Sequence, residues 1–496
     1  MESYFSWQPL ITLLVPLFIA LLIVITGRWP NIREFCTIAG SLAMFGAVFV
    51  MLPEVLEGRY PAISMFDISP GISLALKADA AGLIFGMSAS ALWIATSVFS
   101  IGYMRGLSEK KQTRYYACFA VCLASTMGIA FADNLLTFVI FYEILTLATY
   151  PLVIHKETPE AIKAGRKYLA YLLTGGLALI LAVALTFSYA GTLEFKPGGI
   201  LESAAAQHDL LPLFAFFLIG MGVKSAIMPL HSWLPTAMIA PTPVSALLHA
   251  VAVVKAGVFG FVRVIGFVFG PDLFHDIGAG NVLAVMAGIT IVLSSLLAMY
   301  QDNLKRRLAY STVGHLSYIV LGIALLSPVA WVGGLMHIVN HAVMKITLFF
   351  CAGAIYVKTR CENISDLDGI GKQMPITMAA FTLAAIGLAA IPPINGFISK
   401  WLLGQGALDS EQWIYLVVLL LSGLLNAGYF FTIIRRAFFM QSDKRTRFAE
   451  ASPLLLVPLV CTALLALILG LVPDAILHLY SLASDVASSL FNGVLK

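Results

Sequence analysis

Ionisable side chains lie inside several of the longest apolar stretches of this chain. Glu143 lies in FYEILTLATYP, and Lys224, Lys255 and Lys400 are each flanked by apolar residues. A charge at the centre of a membrane helix costs about 2.5–3.5 kcal/mol on insertion scales, so such residues are functional candidates. Burial disfavours the charged form of both residue types. The sequence therefore predicts that these four groups take up and release protons.

A second group combines histidines with a lysine. His337, His341 and Lys345 follow one another at intervals of four in MHIVNHAVMKITLFF, which places them on one stripe of a helix. Neutral imidazole accepts a proton at one ring nitrogen and donates one at the other, so the stripe could form a stepwise relay. Two alternatives stay open: a zinc site, although no third ligand lies nearby, and a structural hydrogen-bonded pair.

Prolines interrupt the chain beside two of the lysines. Lys224 precedes SAIMPLHSWLP, which continues to APTP at 240–243, and Lys400 follows IPPINGFIS. Proline removes a backbone hydrogen bond, which membrane helices tolerate only where protein or a wet cavity receives the freed groups. Interrupted helices in both halves indicate inverted repeats around a transport path; kinks made for packing are the alternative. Lys224 precedes its break whereas Lys400 follows its own, so the two do not correspond residue by residue.

The elements that must position these groups are membrane helices. The composition is 60% hydrophobic and 11% charged, against roughly a quarter charged in soluble domains. Helices satisfy their own backbone groups in lipid, and strand-like alternation is absent, which argues against a barrel. The scattered cysteines suggest neither a metal site nor disulfides. We predict an all-α integral membrane protein of about fourteen segments, at 9–27, 34–52, 78–103, 115–132, 134–153, 166–190, 211–229, 244–268, 282–300, 304–325, 331–357, 375–403, 413–438 and 453–472.

The distribution of positive charge predicts the orientation. One set of alternate loops carries most of the 30 Lys and Arg residues, and the other set, termini included, carries Arg59, Lys77, Lys196 and Lys496. Positive loops stay in the cytoplasm, so both termini are expected on the non-cytoplasmic side. The basic residues left inside apolar segments are Lys224, Lys255, Arg263, Lys345 and Lys400. Near the end of its segment, Arg263 is expected to snorkel or to pair structurally.

Several of these stretches resemble one known family. They are FYEILTLATYPLV, GVKSAIMPLHSWLPTAMIAPTPVSALLHAVAVVKAG, QDNLKRRLAYSTVGHLSYI, LMHIVNHAVMKITLFF and IPPINGFISKW. The chain resembles, over about residues 78–440, the proton-translocating antiporter-like family shared by Mrp-type cation/proton antiporters and the antiporter-like subunits of respiratory complex I.

The resemblance implies an architecture and a role for each candidate residue. Segments 4–8 and 9–13 would form two inverted five-helix repeats, with segments 7 and 12 broken. The chain would divide into 1–113 (segments 1–3), 114–268 (first repeat), 269–440 (second repeat) and 441–496 (segment 14 and tail). The implied roles are a Glu143–Lys224 pair, a central Lys255, a terminal Lys400, and a relay of His249, His337, His341 and Lys345.

The resemblance also implies a partner set. Lysine at position 400 and an end soon after segment 14 are typical of the D subunit of Mrp-type antiporters, a plasma-membrane (inner-membrane) protein that works with other membrane subunits to exchange protons for a monovalent cation such as Na+. Alternatives are a proton-pumping subunit of an NADH:quinone oxidoreductase or a membrane-bound hydrogenase, and a stand-alone solute transporter. No dinucleotide or iron–sulfur motif is present. We therefore predict an ion-transport subunit rather than an enzyme, with no cofactor, no bound metal and no nucleic-acid partner.

Overall fold

The computed structural model describes residues 2–69, 72–442, 445 and 447–491, apart from the side chains of Glu2, Leu248 and His249. Helices dominate the chain. In chain order they are α1 Gln8–Ile25, α2 Pro30–Phe49, α3 Leu52–Leu56, α4 Ala80–Gly106, α5 Gln112–Ala130, α6 Leu135–Val153, α7 Pro159–Ala190, α8 Glu202–Ala205, α9 Leu211–Lys224, α10 Trp233–Thr236, α11 Thr242–Ala246, α12 Val253–Val264, α13 Pro271–Asp276, α14 Ala279–Met299, α15 Leu304–Ala324, α16 Pro328–Thr359, α17 Ile370–Gln373, α18 Pro375–Leu388, α19 Asn395–Asp409, α20 Trp413–Phe439, α21 Pro453–Leu471 and α22 Leu479–Leu490.

The fold is that of a multi-pass, all-α membrane protein. Nine helices within the described ranges are long and apolar enough to cross a bilayer, and α9 and α18 are shorter apolar helices. Each of the fourteen predicted segments overlaps helical residues. Segments 7, 8 and 12 are discontinuous, and segment 8 contains two π-helical turns, Leu247–Val251 and Ile265–Phe269.

Short polar side chains fix where several long helices begin. Asp79, Asn134 and Thr158 each accept a hydrogen bond from the backbone N–H three residues later, at the starts of α4, α6 and α7. Asn303 does the same for α15. Such caps satisfy one of the otherwise free N–H groups of a helix start. The starts of these four helices thus follow from local sequence.

A small sheet outside the apolar segments was not predicted. Strands β1 Glu2–Phe5, β2 Arg59–Ser69 and β3 Ile72–Lys77 form a sheet in the order β1-β2-β3. β1 pairs with β2 in parallel, and β3 pairs with β2 in antiparallel orientation. Between α3 and α4, β2 and β3 therefore pair as strands, and β1 joins residues 2–5 to β2.

The helix α16 forms the centre of the molecule. Its apolar window is completely buried, and it packs against α4, α15, α18, α19 and α21. A helix that is apolar on all sides belongs in such a core. Polar side chains in this buried part of α16, such as His337, His341 and Lys345, are therefore surrounded by protein.

Candidate functional site

The break in segment 7 follows directly after Lys224. The helix α9 ends there and α10 begins at Trp233. The indole Nε1 of Trp233 donates to the carbonyl of Val223 (2.8 Å), and the N–H of Met228 donates to Thr290 Oγ1 (3.1 Å). Side chains of the protein thus receive backbone groups that the break sets free, as membrane depth requires.

Lys224 and Glu143 lie beside each other without a direct ion pair. Lys224 is fully buried, its ammonium donates to the carbonyl of Tyr142, and it lies 3.3 Å from the centre of the Tyr142 ring. The Glu143 carboxyl group packs against Gly176 of α7, and its Oε1 has no hydrogen-bond partner. Salt bridges among the described residues do not include one between Glu143 and Lys224.

Segment 12 has a comparable break. The helix α18 ends at Leu388 and α19 begins at Asn395. The carbonyl of Leu388 accepts hydrogen bonds from Lys400 Nζ (2.8 Å) and from Asn426 Nδ2 (3.2 Å). Lys400 follows the break in sequence but reaches back to the carbonyl end of α18. Since Lys224 is the last residue of α9, both lysines sit at the C-terminal end of a first half-helix, where the helix dipole favours a cation.

A close contact between α9 and α12 brings the first two lysines near each other. Gly257 lies two residues after Lys255, and a Cβ at position 257 would lie 2.4 Å from the backbone nitrogen of Ser225 and 2.9 Å from Lys224 Cβ. Any larger side chain would push the two helices apart. The glycine thus keeps the Lys224 and Lys255 backbones in adjoining turns.

A row of buried rings runs from Lys255. Its Nζ lies 2.9 Å from His341 Nδ1. The His341 ring stacks on His315, with 5.3 Å between centroids. His315 Nδ1 is 3.2 Å from His337 Nε2, and His337 Nδ1 is 2.8 Å from Ser399 Oγ. All three imidazoles are at most 1% exposed, so the contacts form a buried path across α12, α15, α16 and α19.

The row reaches Lys400 through Asn426. The amide Nδ2 of Asn426 lies 3.2 Å from His315 Nε2 and also donates to Leu388 O, which Lys400 shares. The Lys400 ammonium lies 4.5 Å from the centre of the Tyr318 ring. The predicted terminal lysine is therefore three hydrogen bonds away from an imidazole of the row, by way of Leu388 O and Asn426.

Lys345 joins by a side branch. Its Nζ donates to Ser311 Oγ (2.8 Å), which also accepts from the Tyr429 hydroxyl (2.8 Å). Tyr429 in turn lies 2.6 Å from Asn426 Oδ1. The stripe of α16 is therefore not a linear sequence of three groups, because His315 of α15 lies between its two histidines and Asn426 of α20 connects its lysine.

The sequence interpretation missed His315. It has no histidine four residues away on its own helix, and only packing against α16 brings it to His337 and His341. A signal was present, because His315 lies within the apolar segment 304–325, where any titratable residue is a candidate. Of the predicted residues, His249 has its side chain outside the described part of the chain.

Arg263 pairs structurally, as expected. Its guanidinium makes two hydrogen bonds to Asp79, the cap of α4, one of them 2.8 Å long, and it lies near the rings of Phe195, Phe259 and Phe267. This pair fastens the end of α12 to the start of α4. It shares no contact with the row.

The row contains no acidic partner. Throughout the described ranges, no Asp or Glu forms an ion pair with Lys255, Lys345 or Lys400. The same residues include no group of three His, Cys, Asp or Glu side chains arranged to hold a metal ion. What the geometry offers is a set of buried nitrogen bases linked by hydroxyl and amide groups.

Comparison with known proteins gives consistent results. A family model described as "NADH:quinone oxidoreductase/Mrp antiporter, TM" matches residues 132–426. The chain is 33% identical to NADH-quinone oxidoreductase subunit N of Desulforudis audaxviator, over 87% of this chain and 86% of that protein. It is 25% identical to the D subunit of the Na(+)/H(+) antiporter of Alkalihalophilus pseudofirmus, over 95% of each.

The fold has a close counterpart among solved structures. A chain of the Mrp complex from a Dietzia species superposes with a TM-score of 0.85 at 21% identity, over 98% of both chains. At this identity the likeness shows the fold alone. The family match, which spans the whole row from α6 to α20, and the identity to subunit N show that this chain belongs to the NADH:quinone oxidoreductase/Mrp antiporter family of membrane subunits.

Proposed function

We propose that this chain carries protons along its buried row as a subunit of a multi-subunit monovalent cation/proton antiporter. The observation that carries this proposal is the series of contacts from Lys255 through His341, His315 and His337 to Ser399, with Lys400 joined through Asn426. Buried bases in hydrogen-bond contact can exchange protons, whereas a solute pocket needs an open volume lined by converging polar groups.

The transfer along the row would use each imidazole in turn. The Lys255 ammonium gives a proton to His341 Nδ1, and His341 releases one from Nε2 toward His315. Because His341 Nε2 has no partner among the described residues, a water molecule would complete this step. His315 then passes a proton from Nδ1 to His337 Nε2. The Asn426 amide, which donates to both His315 and the Leu388 carbonyl, holds Lys400 near the row without carrying a proton itself, so water would complete the transfer to Lys400. Each base returns to neutrality once it has donated.

Glu143 and Lys224 would form the entry to this row. Lys224 is the last residue of α9, and its ammonium donates to the carbonyl of Tyr142. Glu143 is the next residue after Tyr142 in the sequence. The Glu143 carboxylate would hold a proton on Lys224 through Coulomb attraction, and its movement away would release that proton toward Lys255. The Gly257 contact, which places the two lysines on packed helices, supports this order of transfer.

The architecture would follow the inverted repeats implied by the family. We propose that all fourteen segments cross the cell (inner) membrane and that residues 114–268 and 269–440 form the two repeats. Both termini would then lie on the non-cytoplasmic side. The position of Lys224 and Lys400 at the carbonyl ends of comparable half-helices supports this repeat.

The full-length correspondence with the D subunit of a Na(+)/H(+) antiporter favours Na+ as the exchanged cation and other Mrp-type membrane subunits as the partners. The second candidate is a membrane-arm subunit of an NADH:quinone oxidoreductase, favoured by the higher identity to subunit N. Under both proposals the row has the same task, and the complex supplies the driving force.

The experiment uses everted membrane vesicles that contain the assembled complex. His341→Gln should lower Na+-driven dissipation of a pH gradient on the order of a hundredfold, the size expected for loss of a positioned proton-transfer group. Lys400→Ala should have a similar effect. His275→Gln, at an exposed histidine of α13, is the matched control. Native gels verify assembly.

Near-normal exchange in both His341→Gln and Lys400→Ala would contradict the proposed row. If wild-type vesicles show no Na+ exchange but the same variants abolish proton pumping driven by NADH, the oxidoreductase candidate replaces the antiporter.

A further inference from the structure

An open cleft lies on the face of the protein that carries most of the loop lysines and arginines. Its volume is about 660 Å³, and it lies between the start of α7, the stretch 235–239 and the start of α15. We call it the basic cleft, since five basic side chains line it: Lys156, Lys163, Lys167, Lys305 and Arg306. Glu160 and Glu362 line it as well.

The positive charge of the basic cleft is not neutralised. Five cations against two carboxylates leave an excess of three positive charges. Within the described part of the chain, none of the five lies within 4.0 Å of a carboxylate oxygen. Lys167 instead contacts Thr236 Oγ1 at 3.3 Å, and Lys305 donates to Ala240 O at 3.0 Å. Because these partners are neutral, the cleft keeps a net positive charge that a bound anion would compensate.

Two helix starts add to this field. The helix α7 begins at Pro159 and α15 at Leu304, and residues of both first turns line the cleft. Helix N-termini carry a partial positive charge and point N–H groups outward, which favours phosphate and other anions. The same field opposes the entry of Na+ at this mouth.

The surroundings of the cleft favour a lipid over a soluble anion. Beyond Lys163, α7 continues as an exposed apolar face that includes Leu173, Leu177 and Ile180. From Lys163 to Leu177 the helix rises about 21 Å at 1.5 Å per residue. A basic pocket at the end of a membrane helix, followed by an apolar face, has the form of sites that bind anionic lipid headgroups.

We propose that the basic cleft binds the phosphate headgroup of an anionic phospholipid, whose acyl chains lie along α7. Lys163, Lys167 and Arg306 contact the phosphate from α7 and α15. Through Lys167 and Lys305 the headgroup also steadies the stretch 236–240, which follows the break after Lys224. This assignment does not depend on the proton row.

The test uses the full chain in nanodiscs of equal parts phosphatidylglycerol and phosphatidylcholine. Native mass spectrometry counts the lipids retained after release. The combined variant Lys163→Gln, Lys167→Gln and Arg306→Gln should lose phosphatidylglycerol affinity by at least about tenfold, since each interfacial cation contributes separately. The matched control, Lys110→Gln, Lys358→Gln and Lys372→Gln, removes as many cations outside the cleft and should retain the lipid.

A thermal-shift measurement in detergent distinguishes a lipid headgroup from free inorganic phosphate as the bound anion. Stabilisation by phosphatidylglycerol, absent for inorganic phosphate at equal concentration and lost in the cleft variant, supports the proposal. Stabilisation of equal size by inorganic phosphate would assign the cleft to a soluble anion and overturn it. Equal lipid retention by the cleft and control variants would overturn it too. The single variant Lys163→Glu provides the same comparison if the combined variant fails to fold.

Discussion

At the scale of the residue, the lysines of the row differ in their partners from lysines that pair with a carboxylate. Lys255 faces an imidazole, Lys345 a serine hydroxyl and Lys400 a backbone carbonyl. By contrast, Lys111 pairs with Glu157, and the pairing lowers the pKa of that carboxyl to about 2, through its hydrogen bonds to Lys111 and Arg114. A lysine with a neutral partner can lose its proton without abandoning a buried counter-charge.

His155, in the loop between α6 and α7, provides a prediction about pH. Burial, and next the nearby Arg114, lower its pKa from 6.5 to about 4. Between these values the unfolded chain binds more protons than the folded one, so stability should fall as pH drops from 6.5 toward 4. His155→Gln should flatten this fall. The measurement is the unfolding temperature of the detergent-solubilised chain as a function of pH from 7 to 4, for the unmodified protein and for His155→Gln. Parallel curves for the two proteins would contradict the assignment. His208→Gln serves as the control.

How much of the site was predictable differs by residue. A charged residue inside an apolar stretch can be recognised from the sequence alone, and Glu143, Lys224, Lys255 and Lys400 were predicted for that reason. The position of His315 between two histidines of another helix is tertiary and follows from packing of α15 on α16. The sequence gives candidates for such a row, but their order depends on which helices touch.

At the scale of the element, the close approach of α9 and α12 constrains the surroundings of Lys224 and Lys255. A Cβ at Gly257 would meet backbone atoms of the neighbouring helix, and backbone cannot rotate away as a side chain tip can. The contact therefore couples the end of α9, where the chain breaks, to the helix that carries Lys255.

Gly257→Ala should separate these helices. We expect destabilisation of about 1–3 kcal/mol, the usual cost of overpacking, together with a loss of cation exchange. Gly222→Ala is the control, because its Cβ would lie 3.5 Å from Leu230 Cδ1, an ordinary contact. Thermal unfolding and vesicle exchange are compared for both variants, and equal behaviour of the two would refute the constraint.

The elements themselves were predictable to different degrees. Hydropathy located the long helices, and prolines located the breaks in segments 7 and 12, because both signals are local. The sheet joins residues 2–5 to 59–69, and such non-local pairing leaves little trace in either strand. The π-helical turns of segment 8 and the terminal helix α22 were missed for the related reason that tertiary packing stabilises them.

At the scale of the whole molecule, the distribution of charge predicts which loops share a face of the membrane. The loop before α5 holds Lys110 and Lys111, whereas the connection after α7 holds Lys196. Three predicted segments separate these loops, so they should open on opposite sides of the bilayer. The positive-inside rule assigns the first to the cytoplasm.

Cysteine labelling tests this orientation. A membrane-impermeant maleimide should label Lys196→Cys in intact cells, and should label Lys110→Cys only after permeabilisation. The unmodified chain, which has six native cysteines, gives the background. Labelling of Lys110→Cys in intact cells would reverse the orientation, and labelling of both would change the number of segments between them.

The absence of acidic partners along the row limits how many charges it can hold. Two unit charges 10 Å apart repel by roughly 1.7 kcal/mol at an effective dielectric constant of 20. Because no described carboxylate forms an ion pair with Lys255, Lys345 or Lys400, a proton that arrives at Lys255 makes a second one at His337 or Lys400 less favourable. The row should therefore hold few excess protons at one time, so that each proton entering at Lys255 promotes the release of another at the far end.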